Sequence, residues 1–158
     1  MPPLLDNPEY LHHCHWMERA IALAEAAGRA GDVPVGAVVV RDGLAIVEAE
    51  NRRERDHDPT AHAEVLALRE AGRVLNTWHL NDCTLYVTLE PCPMCAGAIV
   101  LARLGLLVYG TDDLKAGAAR SVLNVPDSAC SNHRLPVIGG ILESACRGQL
   151  QSWFAKRR

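Results

Sequence analysis

Thr84 to Leu89 form a β-prone run that passes through Glu90 directly into Pro91-Cys92-Pro93-Met94-Cys95. A helix follows, reaching to Arg103 and apolar almost all round in Ala96, Ala98, Ile99, Val100, Leu101 and Ala102. A helix without a polar face has to be buried against a sheet on one side and something else on the other. This stretch therefore asks for a layered α/β molecule. Pro93 stands in the first turn, where a missing N–H costs nothing, and Pro91 keeps Glu90 extended, so the chain itself sets the handover from strand to helix. Cys92 and Cys95, three apart at the helix start, share a face and lie among free N–H groups that stabilise thiolates.

The rest of the chain fits such layering. Asn7 caps a first helix that has Pro8 at its first position and runs to about Gly28; its stripe Tyr10, Cys14, Met17, Ile21 and Ala24 keeps helical spacing and faces the core. Val35 to Val40 and Leu44 to Glu48 read as strands joined by Arg41-Asp42-Gly43, whose Asp-Gly pair signals a hairpin. Glu50 to Asp58 reads as a loop. Asp58 then caps a second helix with Pro59 in its first turn and Val65, Leu66 and Leu68 on its apolar face. Gly105 ends the third helix, Leu106 to Tyr109 is the next strand, and Gly110 to Arg120 is a Gly/Ala-rich charged loop. A short strand near Val137-Ile138 precedes a closing helix from about Leu142 to Lys156, with Leu142, Cys146, Leu150, Trp153 and Phe154 inward. One hairpin followed by alternating strands and helices predicts a mixed sheet covered on both faces.

No repeat, low-complexity tract or linker divides the 158 residues, which we expect to form one domain, 1–158. Aromatics at 4% leave the core to Ala, Val, Leu and Ile. A formal charge of −3 excludes coating nucleic acid by bulk electrostatics and leaves it as a substrate only through local basic patches. No stretch reaches the roughly 18 apolar residues of a membrane span, and Met1-Pro-Pro-Leu-Leu-Asp-Asn-Pro-Glu9 reads as lacking the basic and apolar regions of a leader. The expectation is a cytoplasmic protein without a membrane partner. In a reducing compartment Cys14, Cys83, Cys92, Cys95, Cys130 and Cys146 read as metal or redox chemistry before disulfides.

His62-Ala63-Glu64 complements the cysteine pair. With His62, Cys92 and Cys95 as ligands, a tetrahedral zinc ion keeps one position for water, the pattern of a catalytic site. Two thiolates weaken the ion's pull on that water, so a carboxylate that takes its proton and later delivers it to a leaving group is useful; Glu64 is the candidate. Residues two apart on a regular helix face different ways, so convergence of His62 and Glu64 requires the ion to lie beyond the helix start. Three other readings stay open: a thioredoxin-like redox pair, a structural zinc closed by Cys83, and a capped-helix histidine beside two small buried cysteines. None of them needs a glutamate two residues after the histidine.

His-x-Glu with Pro-Cys-x-x-Cys is the signature of zinc deaminases of nucleobases. Beyond it, Val33-Pro-Val-Gly-Ala37, Asn51, Pro59-Thr-Ala-His-Ala-Glu64, Leu85-Tyr-Val-Thr-Leu-Glu-Pro-Cys92, Met94-Cys-Ala-Gly97, Tyr109-Gly110, Lys115-Ala-Gly-Ala118, Asn132-His-Arg134 and Gly140-Ile-Leu142 closely resemble bacterial tRNA-specific adenosine deaminases, from about Gly31 to Phe154. The resemblance implies a cytidine deaminase-like α/β fold, a three-layer αβα sandwich with a mixed five-stranded sheet. It implies a homodimer and one zinc ion (Zn2+) per subunit held by His62, Cys92 and Cys95. The reaction implied is zinc-dependent hydrolysis of the wobble adenosine, position 34 of the tRNA anticodon stem-loop, to inosine and ammonia. Glu64 would shuttle the proton, Asn51 would hydrogen-bond the inserted base, and Ala63, Asp113, Lys115 and Asn132 would stand beside the substrate. Asp113 suits a ribose 2′-OH, or Asp112, Asp113 and Lys115 are turn residues that cap one another.

Two residues depart from the pattern. Pro93 replaces the more common Val and makes Cys-Pro-Met-Cys similar to guanine deaminases, and Leu114 replaces a common Pro or Ala before Lys115. The alternative is thus a guanine or other free-nucleobase deaminase, against which stand Lys115-Ala-Gly-Ala118 and Asn132-His-Arg134. A zinc-stabilised RNA-binding module without turnover is the reading from outside the enzymes. Among weaker signals, Arg52, Arg53 and Arg55 suit phosphate contacts or an exposed loop balanced by Glu54, Asp56 and Asp58, and Lys156-Arg157-Arg158 suits a phosphate clamp. Ala96 to Ala102 suits a dimer contact or a monomer core, and His12, His13 and His15 suit a solvated helix face.

Overall fold

The computed structural model describes residues 6–158; of the stretch 1–9 read for a leader, residues 1–5 fall outside them. Five strands make one mixed sheet: β1 (Gly36–Arg41), β2 (Leu44–Glu50), β3 (Thr84–Leu89), β4 (Leu106–Thr111) and β5 (Val137–Ile138), ordered β2-β1-β3-β4-β5. β1 is antiparallel to both β2 and β3, and the pairs β3/β4 and β4/β5 are parallel. Asp42 and Gly43 both take positive φ, 52° and 72°, the backbone that matches a two-residue hairpin to the twist of its strands.

Helices α1 (Pro8–Arg29) and α4 (Glu143–Ala155) cover one face of the sheet and α2 (Ala63–Leu75) and α3 (Pro93–Leu101) the other, completing a three-layer αβα sandwich. Side chains alternate between two cores: Ala37, Val39, Leu85, Val87 and Leu107 point to α2 and α3, while Val38, Val40, Tyr86 and Val108 point to α1 and α4. Burial on both faces is why β1 and β3 read as nearly continuous apolar runs. α1 lies close on β1 because residue 36 is glycine; a Cβ there would stand 2.0 Å from the Ala20 carbonyl oxygen.

α1 begins as expected, with the Asn7 side chain accepting the Glu9 N–H at 2.9 Å and Pro8 at the first position. Cys14, Met17 and Ala24 face the core, and Tyr10 and Ile21 pack at its edge. His12 and His15 are exposed, but His13 is not a solvated residue: it is buried, with Nδ1 2.8 Å from the Tyr86 hydroxyl.

Four boundaries and faces differ from the sequence reading. Asp58 does not cap α2, because its Oδ1 accepts both the N–H and the hydroxyl of Thr60, at 2.9 and 2.8 Å, and closes a local turn. Arg52 N–H bonds the Ala61 carbonyl at 3.0 Å and draws that turn against the preceding loop, so His62 becomes the cap and the helix starts at Ala63. The buried face of α2 is carried by Ala63, Ala67, Leu68 and Ala71, with Val65 and Leu66 half-buried. α3 stops at Leu101, not at Arg103, which turns left-handed at φ 52°; Gly105 serves close packing, since a Cβ there would meet the Asn81 carbonyl at 2.3 Å. On α4, Cys146 is buried but Phe154 is 45% exposed; in that turn it is Trp153 that packs inward, on Gly28 of α1.

Candidate metal centre and substrate pocket

The first residues of α2 and α3 meet beside the end of β3. His62 and Cys92 are the caps of these helices and both are extended, at φ −74°, ψ 148° and φ −72°, ψ 174°. A cap lies outside the helical repeat, which removes the difficulty of two residues spaced two apart: Glu64 projects from inside the first turn while His62 approaches from before it. Cys95 sits within the first turn of α3, behind Pro93 at the first position. Both helices direct the positive ends of their dipoles at the cluster, favouring anionic sulfur.

His62 Nδ1 lies 3.6 Å from Cys92 Sγ and 3.5 Å from Cys95 Sγ. A tetrahedral zinc ion with nitrogen at about 2.0–2.1 Å and sulfur at about 2.3 Å would separate those atoms by about 3.6 Å. The donor set and its spacing fit zinc. Among the described residues these three are the only His, Cys, Asp or Glu side chains that converge closely enough to share an ion. Cys83, the alternative fourth ligand, lies at the other end of β3, about 20 Å of extended chain away, its thiol turned to Asp82. Cys92 and Cys95 are free thiols, not joined to each other.

The charges are shared within the cluster. The Cys95 thiol, with His62 adding, holds Cys92 down at about 4, while the same bond and burial push Cys95 up. Cys92 in turn raises the His62 imidazole, partly against its burial. A divalent ion takes the place of protons that such donors otherwise share. Glu64 is 4% exposed, with Oε2 3.5 Å from Cys95 Sγ, and burial raises its carboxyl above the ordinary carboxylate range.

Above this floor opens a hollow of about 220 Å³, the scale of one planar base rather than of the roughly 300–1,000 Å³ sites that take drug-sized ligands. Asn51, His62, Ala63, Glu64, Cys92 and Asp113 all line it. Lys115 and Asn132 do not; both are exposed beyond it, and Asn132 meets Arg103 through its carbonyl at 3.4 Å. The buried Asn51 amide is held at both ends, donating to the Val33 carbonyl at 3.1 Å and accepting the Arg53 N–H at 3.2 Å.

The pocket walls are two loops, each hung on a buried carboxylate that sequence reasoning gave no role. Asp32, fully buried, accepts Glu54 N–H and Arg55 Nε, both at 2.7 Å, and Arg55 reaches on to the Asn51 carbonyl at 2.8 Å. Glu90, 1% exposed, lines the pocket and accepts backbone N–H groups of Asp113, Ala119, Arg120 and Ser121. An acidic residue between an apolar strand and a buried proline is the one signal that marks Glu90 in the sequence, since carboxylates are rarely buried without partners. Asp32, beside Gly31, looks like any turn residue.

The sequence matches the MafB19-like deaminase family over residues 11–147. It is 45% identical over 143 residues to a tRNA-specific adenosine deaminase of Bacillus subtilis, an alignment covering 90% of this chain and 89% of that one. Among solved structures, a tRNA:A34 deaminase studied for A-to-I editing at the wobble position superposes with a TM-score of 0.84 at 42% identity, covering 86% of this chain and 99% of the other. The guanine deaminase of Nitrosomonas europaea superposes with a TM-score of 0.79 at 26% identity, over 98% and 88% of the two chains.

Proposed function

The chain belongs to the tRNA-specific adenosine deaminases, and from that premise we propose that it hydrolyses the wobble adenosine, position 34 of a tRNA anticodon, to inosine and ammonia with one zinc ion per chain. The observation that carries the reading is the convergence of one imidazole and two sulfurs at tetrahedral spacing under a base-sized hollow, with a buried carboxyl beside them.

When bound by His62, Cys92 and Cys95, zinc supplies a water acidified enough to attack at neutral pH. Every proton then passes through Glu64. Its carboxylate takes one proton from the water and gives it to N1 of the purine as the C6–O bond forms. It takes the second from the new hydroxyl and gives it to the amino nitrogen as the C6–N bond breaks, so that water enters and ammonia leaves. Burial raises the Glu64 carboxyl, which suits a group that must hold a proton between the two transfers. Asn51 keeps one amide N–H for the inserted base, its remaining bonds locking it in place. Asp113 Oδ1 is occupied by the N–H groups of Lys115 and Ala116, at 3.0 and 3.1 Å, which leaves Oδ2 for a ribose hydroxyl.

The anticodon is single-stranded, so a base leaves its stack at low cost. Val33 and Arg53 line both the hollow and an adjoining groove that continues along Arg55, Trp153 and Phe154. We read this groove as the path of the flanking nucleotides, with the Arg53 guanidinium on phosphate and the exposed Phe154 ring under a base. Self-association is read from α3: Leu101 is 71% and Trp78 61% exposed on one apolar face with Val65 and Ala98. The all-round apolar helix is thus left partly uncovered by its own chain, and a second copy would cover it. No described helix is long and apolar enough to cross a membrane, and the reaction belongs to the cytoplasm, where tRNA is.

Pro93 and the guanine deaminase neighbour keep a second reading, deamination of a free base. Incubation of the zinc-loaded protein with an anticodon stem-loop, and separately with guanine, adenine and cytosine, distinguishes the two. We expect inosine in the stem-loop and no product from the bases; xanthine from guanine with an unedited stem-loop reverses the assignment.

A further inference from the structure

We infer that Glu90 is a positioning residue: its carboxylate ties the wall segment 113–121 to the backbone that carries Cys92, and so sets where the sugar and base of the substrate meet the pocket. Glu90 is the last residue before Pro91-Cys92, and its own N–H bonds the Thr111 carbonyl at 2.9 Å, extending the β3/β4 ladder to the lip of the pocket. Its side chain reaches the segment that follows β4. Oε2 accepts three successive amides, Ala119 at 3.1 Å and Arg120 and Ser121 at 2.9 Å each; Oε1 accepts the Asp113 amide at 3.2 Å and the Ser121 hydroxyl. One buried carboxylate thus gathers both ends of a segment that presents Asp113 and Ala116 to the substrate hollow.

The surrounding chain is shaped for this. At Gly117 a Cβ would stand 2.5 Å from the Glu90 carboxylate and 2.5 Å from the Asp113 carbonyl, so only glycine lets the segment close over it. Ala118 N–H bonds the Pro91 carbonyl at 2.8 Å, a second tie to the same stretch. A segment without helix or strand periodicity has no ladder to satisfy its amides, and a buried carboxylate that accepts several of them holds it to one conformation. The hydrogen bonds of the Glu90 carboxylate all go to Asp113, Ala119, Arg120 and Ser121 and none to His62, Glu64, Cys92 or Cys95, so it acts through Asp113 and its neighbours. The substrate in this inference is the one proposed above; the clasp itself is independent of that reading.

Three variants loosen the clasp in different ways. Ser121→Ala removes the hydroxyl donor, Gly117→Ala forces the carboxylate aside, and Glu90→Gln removes one acceptor oxygen and the charge. With an anticodon stem-loop as substrate and bound zinc measured per chain, we expect KM to rise about threefold, about tenfold and about thirtyfold respectively, with kcat changed far less and zinc retained. Ser121→Ala should add nothing in the Glu90→Gln background. Wild-type KM in all three, or loss of zinc in Glu90→Gln with wild-type KM in the other two, overturns the inference; a role in overall stability alone lowers the melting temperature without moving KM. If Glu90→Gln does not fold, Ser121→Ala and Gly117→Ala decide. Hydrogen exchange of the amides at 113 and 119–121 is read on the same proteins: protection in wild type that weakens in Ser121→Ala supports the clasp, and unchanged exchange refutes it. A wild-type protein that leaves the stem-loop unedited sinks the proposed function, and the exchange then judges the clasp by itself.

Discussion

The floor of the pocket and its walls are held by different means. On the floor, His62 and Cys92 cap two helices and Cys95 and Glu64 lie in the first turns, so each is placed by the backbone of the few residues around it. The walls are irregular loops whose amides end on carboxylates far away in sequence, Glu54 on Asp32 across 22 residues and Ser121 on Glu90 across 31. Short-range placement makes the floor rigid and separable, with chemistry and metal assigned to single residues. Long-range placement makes each wall a unit in which one buried carboxylate controls several contacts. Substitutions on the floor should therefore abolish turnover or metal binding, and substitutions behind the walls should grade substrate affinity.

The largest expected effect is on the floor. Glu64→Gln should lower turnover of the stem-loop by about 10³-fold or more while zinc content stays at wild type, as the proposed role of a proton carrier outside the ligand set requires. Metal analysis beside a rate assay checks both halves; a zinc-depleted variant would place Glu64 among the ligands and blur the division. Cys95→Ser should lose the ion itself, seen as less than one zinc per chain after gel filtration.

Behind the first wall, Asp32→Asn leaves Arg55 without its buried partner. Arg55 keeps the Glu50 carboxylate at 3.4 Å and the Asn51 carbonyl, so we expect a loss of about 1.5–3 kcal/mol in urea unfolding and a raised KM with zinc intact. Loss of zinc with an unchanged KM would show that the walls brace the floor instead of the substrate. Within the second wall, Asp113→Asn should narrow the preference for a ribose over a deoxyribose at the reacting nucleotide by about tenfold, with little change on either sugar's kcat. Equal loss on both would remove Asp113 from the sugar contact.

The smallest effect lies outside both regions. Burial, helped by His12 and opposed by Glu9, lowers the His13 imidazole below its ordinary 6.5. The unfolded chain therefore takes up the proton first, so the contribution of neutral His13 is complete above about pH 7 and declines as pH falls through 6.5 toward the folded value. Thermal melts from pH 7.5 to 5 should show this slope, and His13→Gln should flatten it without touching editing at pH 7.5.

The contrast between floor and walls also separates what the sequence made legible from what it did not. Thr84–Leu89 and Val137–Ile138 were bounded to the residue, because apolar runs between turn residues leave little freedom. His62, Cys92, Cys95 and Glu64 group by residue chemistry and by the deaminase signature, whereas spacing alone sets His62 and Glu64 on different faces, a difficulty that the position of His62 as helix cap removes. The start of α2 could not be found that way: Asp58 and Pro59 look like a cap and first turn, and only the bonds of Thr60 and Arg52 reveal that this turn belongs to the loop. His13 was hidden by its polar type, although Tyr86 across the core supplies its partner. Asp32 and Glu90 were given no role because most of their partners are backbone amides, which every residue has, and their side-chain partners, Arg55 and Ser121, stand 23 and 31 residues away.

The central claim is that three side chains hold one catalytic zinc beneath a base-sized hollow and that Glu64 carries the protons of adenosine deamination. Inosine at the wobble position of an anticodon stem-loop, quantified for wild type and Glu64→Gln at equal bound zinc, tests it most directly. The account predicts conversion by wild type and none above background by the variant. An unedited stem-loop with zinc-loaded wild type, or editing that survives in Glu64→Gln, would contradict it.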